Sequence, residues 1–143
     1  MPIVIIGGGV IGSAIAHFLT LQQPGCEVVV LERDPTYAQA SSALSASSIR
    51  QQFSTDINIR ISAFGIDFLR NAGTLLACNG DAPHIGLHEG GYLYLATAAG
   101  AATLRDNHAL QRQLGADVAL LSPAQLQQQF PWLALQDVAL GSL

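Results

Sequence analysis

Ile3–Ile6 is a continuous run of apolar, mostly β-branched residues. Glycines follow it at once, and apolar positions then recur at Val10, Ala14, Ile15, Phe18 and Leu19, close to helical spacing. A short unbroken apolar run predicts a strand buried on both faces of a parallel sheet; the longer period predicts a helix with one apolar side. Pro24 and Gly25 end that helix, and Val28–Leu31 predicts a second buried strand that finishes at Glu32. Further along, Ile57, Ile61, Phe64 and Phe68 mark one face of a helix over residues 56–69, with Ser54 or Thr55 as its cap. Residues 79–83 form a turn-rich break. Residues 85–88 and 92–96 predict a strand pair around Glu89-Gly90-Gly91, with Tyr92 and Tyr94 on one face. A helix is expected over 98–114, ended by Gly115, then a short strand over 118–121. Ser122-Pro123 opens a further helix that Pro131 stops, and residues 138–140 begin another strand.

The first of these segments carries chemistry. Gly7-Gly8-Gly9-Val10-Ile11-Gly12 fits G-x-G-x-x-G between a strand and a helix. Gly7 permits the tight turn out of the strand, and the bare backbone at Gly9 lets a pyrophosphate approach. Gly12 lets the helix pack closely on the strand. The helix start at Val10 and Ile11 offers unpaired N–H groups and partial positive charge to phosphates. Glu32 ends the second strand, where a carboxylate accepts hydrogen bonds from both hydroxyls of an adenosine ribose. A carboxylate there favours a plain ribose over a 2′-phosphate, a preference that the neighbouring Arg33 weakens slightly.

Composition narrows the classes. Half of the 143 residues are hydrophobic and 11% are charged, so the chain has the means to bury a core. The net charge is -4, and no basic stripe points to nucleic acid. All six basic residues counted as Lys or Arg are arginines, which excludes a lysine Schiff base and a Walker-type phosphate loop in this segment. Cys26 and Cys78 fit no metal spacing and are expected to be reduced thiols of a cytoplasmic protein. His84 and His88 stand four apart, but Pro83 and Gly90 bound them, so no metal site is expected there. The nearly uncharged opening lacks the positive start of a signal peptide and is too glycine-rich for a membrane span. A soluble protein without a targeting segment is expected.

The strand–helix–strand unit alone leaves flavin and nicotinamide dinucleotides open. A simple NAD domain places a short helix and a third strand soon after the acid. Here Asp34-Pro35 redirects the backbone into "ASSALSASSIRQQFS", with no clear strand before Asp56. At this point "IVIIGGGVIGSAIAHFL", "VVVLERD", "ASSALSASSIRQQFS", "GGYLYLAT" and "FPWL" together resemble the N-terminal part of the FAD-dependent amine and amino-acid oxidoreductases, the D-amino-acid oxidase superfamily. That group includes sarcosine, dimethylglycine and glycine oxidases. The resemblance covers nearly the whole chain and is most specific in its first 53 residues.

The resemblance implies an α/β fold: a Rossmann-like FAD-binding βαβ domain over residues 1–80, followed by the start of an α+β substrate or cap domain over 81–143. It implies FAD as cofactor and a small amine or amino acid as substrate, oxidised at a C–N bond by hydride transfer to the flavin. Ser41 and Ser42 match hydroxyl residues that touch the cofactor. Ser45, Ala46, Ser47 and Ser48 match small residues lying against the ribityl chain and isoalloxazine, where many relatives carry glycine at one or both of the last two positions. Arg50 matches an arginine that faces the substrate cavity, where a guanidinium holds a carboxylate in a fork. No catalytic residue is assigned. Family members are longer, so the chain is expected to be incomplete, inactive alone, and in need of its missing C-terminal part or a complementing chain. An NAD(H)-binding dehydrogenase domain, and a non-catalytic subunit or assembly protein retaining a dinucleotide fold, are the alternative readings.

Overall fold

A computed structural model describes all residues, 1–143, as two compact units, Met1–Ser48 and Ile49–Leu143. The first contains β1 (Ile3–Ile6), α1 (Val10–Gln22) and β2 (Val28–Leu31). The two strands are parallel, in register from Ile3 opposite Val28 to Ile6 opposite Leu31, and α1 packs against both. Their β-branched residues suit a pleated sheet. The helix ends before Pro24, and Gly25 turns the chain at φ 88°. Burial of both strands on both faces does not hold in these residues, since a two-stranded sheet under one helix has too little cover. Ile6 is 88% exposed.

The second unit begins with α2 (Asp56–Arg70) and the short α3 (Ala72–Leu75). Then come β3 (Tyr94–Ala96), α4 (Ala101–Gln113), β4 (Leu120–Leu121), α5 (Pro123–Gln129) and β5 (Leu140–Ser142). The three strands form an antiparallel sheet in the order β3-β5-β4, with Tyr94 and Leu120 both opposite Ser142. Ile59 of α2 is fully buried with Ala116 and Val118, and Phe53, Leu110 and Leu114 pack around them. Leu126 of α5, also fully buried, seats over β5, where a Cβ added at Gly141 would stand 2.9 Å from its Cδ2. Ser122 caps α5 with Pro123 in the first turn, as the sequence predicts, and the Gln125 side chain reaches back to close a capping box.

Three expectations need correction. Residues 85–88 form no strand, and β3 pairs with the distant β5 instead. Gly86 and Gly91 have φ of 64° and 80°, which breaks any regular pairing of this stretch. Of the α2 face marked by Ile57, Ile61, Phe64 and Phe68, the first three are exposed and Phe68 is half-buried, while Ile59 on another side enters the core. This helix carries two apolar sides, and the side that meets α4 buries Ile59. Thr55 stands at the N-cap of α2 but makes no side-chain capping bond. Two small elements escaped the hydrophobic pattern. One is α3. The other is a hairpin bridge between Cys78 and Asp81 around Asn79 (φ 52°) and Gly80 (φ 89°), the positive pair of a two-residue turn. No helix is long and apolar enough to cross a membrane.

Candidate functional site

The corner between β1 and α1 is set by two glycines. Gly7 adopts φ 99°, a left-handed conformation that side chains disfavour. A Cβ on Gly12 would lie 1.9 Å from the Gly7 carbonyl oxygen, so only glycine allows the helix to sit this close to the strand's exit. Gly9 is the helix N-cap, brings no side chain, and would project a Cβ into open space. The first intrahelical bond runs from the Ser13 N–H to the Gly9 carbonyl at 2.9 Å. The N–H groups of Val10, Ile11 and Gly12 precede it, and no acidic residue stands in the first turn.

Glu32 reaches this corner from the end of β2. Its Oε2 accepts from the Gly8 N–H at 2.7 Å, and its Oε1 from the Asp34 N–H at 2.9 Å. Those two donors, Asp34 first and Gly8 second, hold the carboxyl below the ordinary glutamate range. Ser13 donates its hydroxyl to the Gly8 carbonyl at 2.7 Å, so the Gly8 residue is gripped at both its N–H and its C=O. Asp34 is likewise lowered, chiefly by the Thr36 hydroxyl and then the Thr36 N–H. Beyond Asp34 the chain folds through turns bonded from Tyr37 to Asp34, Ala40 to Tyr37 and Leu44 to Ala40.

These pieces line one groove of about 640 Å³. It brings together Gly7, Gly9, Val10, Ile11, Gly12, Glu32, Arg33, Ser41 and Ser42. Ser45, Ala46, Ser47 and Ser48 do not line it and are exposed. They are nonetheless tied locally, with Ser45 Oγ donating to the Ser42 carbonyl at 2.9 Å and accepting from the Ser47 N–H at 3.1 Å. Ser47 adopts φ 49°, the left-handed region that glycine occupies most easily. Tyr37 and Gln39 also line the groove and were missed. Tyr37 has φ 56°, and its hydroxyl lies 3.2 Å from where a Gly8 Cβ would be. No motif carries Tyr37, because its place depends on a tight turn rather than on periodicity. Arg50 falls in the second unit, where it meets the rings of Phe53, Tyr92 and Tyr94.

A family model described as "FAD dependent oxidoreductase" matches residues 2–143. The chain belongs to this family. FAD is its cofactor. The "FAD-dependent oxidoreductase domain-containing protein 1" of Bos taurus is 47% identical over 144 residues, 98% of this chain and 30% of the relative. The chain thus spans less than a third of the curated relatives it matches. Among solved structures, L-proline dehydrogenase from P. horikoshii matches 99% of the chain and 35% of its own, with a TM-score of 0.79 and 27% identity. Glycine oxidase from Bacillus cereus ATCC 14579 shares the fold, with a TM-score of 0.63 and 22% identity over 99% of this chain and 37% of its own.

Proposed function

We propose that this chain is the FAD-binding portion of an oxidoreductase that oxidises a C–N bond of a small amine or amino acid. The carrying observation is the single groove that joins the glycine corner, Glu32, Ser41 and Ser42. The residues suit a dinucleotide: open space at Gly9, an uncapped helix start and a carboxylate within hydrogen-bond reach of the same corner. In this reading Gly7, Gly9 and Gly12 shape the pyrophosphate seat, and the N–H groups at Val10 and Ile11 face it. Each Glu32 oxygen accepts one backbone N–H and keeps a further lone pair, so the carboxylate has room for two ribose hydroxyls. Arg33 flanks the adenosine. Ser41 and Ser42 donate from the far wall, and Ser45, Ala46, Ser47 and Ser48 lie against the ribityl chain and ring. Bound FAD supplies the acceptor for a substrate hydride.

Arg50 binds the carboxylate of an amino-acid substrate through its guanidinium fork. The likeness to L-proline dehydrogenase at 27% identity supports a substrate of that class. A functional division near residue 80, between a cofactor part and a substrate part, belongs to the same proposal. So do a cytoplasmic setting, which fits the two free cysteines, and completion by a further segment or chain, which fits the exposure of Ile6 and Leu31. Titration of the purified protein with FAD and with NAD, followed by flavin fluorescence and by thermal melting, tests the reading. Saturable FAD binding with stabilisation, and no response to NAD, is expected. Stabilisation by NAD alone would overturn it.

A further inference from the structure

Arg50 differs from the other arginines whose partners define their place. Arg60 pairs with Asp56, Arg70 with Glu89, and Arg112 with Asp117. Arg50 has no carboxylate partner. Its guanidinium carbon instead lies 4.7 Å from the ring centroid of Phe53, 5.6 Å from that of Tyr94 and 5.8 Å from that of Tyr92. All three distances fall within the range in which a ring face attracts a cation. The two tyrosine rings are themselves 5.3 Å apart, tilted by 34°.

The frame around this cluster is fixed. Tyr94 is in β3, opposite Ser142 of β5. The Gln52 amide donates to the Ser142 carbonyl at 3.1 Å, which ties the segment bearing Arg50 to the same sheet. The buried Gln111 amide donates to the Phe53 carbonyl at 2.9 Å, which ties it to α4. Ring contacts engage the π-faces and leave the guanidinium's N–H donors without a protein acceptor. A planar cation held in this way retains its fork for an incoming planar anion.

We propose that Tyr92 and Tyr94, with Phe53, are positioning residues that hold the Arg50 guanidinium ready for a substrate carboxylate. This rests on the reading of Arg50 as the carboxylate ligand. The rings act by their faces, so the phenol hydroxyls are dispensable. The resident guanidinium also fills the cation seat of the cluster, so the cluster selects a carboxylate and repels a substrate that offers only an ammonium.

The test uses the FAD-loaded, full-length protein, with acetate as a redox-inert carboxylate and glycine and L-proline as substrates. Acetate binding is read from the perturbed flavin absorption spectrum. The double variant Y92L/Y94L should weaken acetate binding and raise KM about fivefold with kcat unchanged. Y92F/Y94F should restore both to wild type. R50M should abolish acetate binding. The single variants Y92L and Y94L, each expected to show part of the loss, serve if the double variant does not fold. Retained acetate binding in R50M would overturn the reading of Arg50 and this proposal with it. Loss in R50M but not in the leucine variants would overturn the positioning role alone. Equal loss in the phenylalanine and leucine variants would assign the effect to the hydroxyls and contradict the proposal.

Discussion

Glu32 accepts a hydrogen bond from the Gly8 N–H at 2.7 Å across 24 residues of sequence. The acid at the end of β2 therefore shapes the corner as well as facing the groove. Replacing it with glutamine keeps one acceptor but sets an amide donor against a backbone donor, since Glu32 presently accepts from both Gly8 and Asp34. Glu32→Gln should weaken FAD binding by roughly tenfold or more, measured by fluorescence titration.

The same contacts set a pH dependence. The Glu32 carboxyl is depressed in the folded chain, so its contribution is fully present above the ordinary value of 4.5. That contribution is lost as pH falls through the lowered folded value. Protection of the Gly8 amide, read as observed exchange against its intrinsic rate at each pH, should therefore fall in acid, and FAD release should increase. Glu32→Gln should flatten that acidic limb of the profile.

Gly12→Ala places a methyl 1.9 Å from the Gly7 carbonyl oxygen, against backbone that has no side-chain freedom to yield. The helix must move from the strand. A loss of about 2 kcal/mol in stability is expected, together with loss of FAD binding, read by denaturant unfolding and titration.

Ser47→Gly should act in the opposite direction. Ser47 occupies φ 49°, and its exposed hydroxyl makes only a long 3.4 Å contact with Ser45 Oγ, so glycine removes the Cβ strain at the loss of that weak contact while the N–H keeps its bond to Ser45 Oγ. A gain of up to about 1 kcal/mol is expected, partly offset by greater unfolded-state entropy, and thermal melting measures it.

Leu126→Ala empties a fully buried position over Gly141. It should cost about 3 kcal/mol in the second unit and leave the groove unaltered. Unfolding followed at the second unit, beside FAD titration, separates the two effects.

The strand–glycine–helix–strand order and Glu32 were legible because each depends on neighbours in sequence: apolar runs, the glycine spacing and the acid after β2. The start of α5 at Ser122-Pro123 was legible for the same reason. The pairing of β3 with β5 was not, since it joins residues 94–96 to 140–142 and no local pattern names a distant partner. The buried side of α2 was misread because Ile57, Ile61 and Phe64 give the stronger stripe, while contact with α4 selected Ile59. Tyr37 and the Ser13 grip on Gly8 depend on turn geometry, which composition does not encode. Arg50 was picked out by its place after the serine loop, but its three-ring surrounding required the sheet to bring Tyr92 and Tyr94 beside it.

The most direct test of the central claim is residue-resolved NMR of the isotope-labelled protein during titration with FAD. Amide shifts should concentrate at Gly7–Gly12, Glu32, Arg33 and Ser41–Ser42, the residues that line one groove. Saturable FAD binding that leaves Gly9, Val10 and Glu32 unshifted would contradict the account.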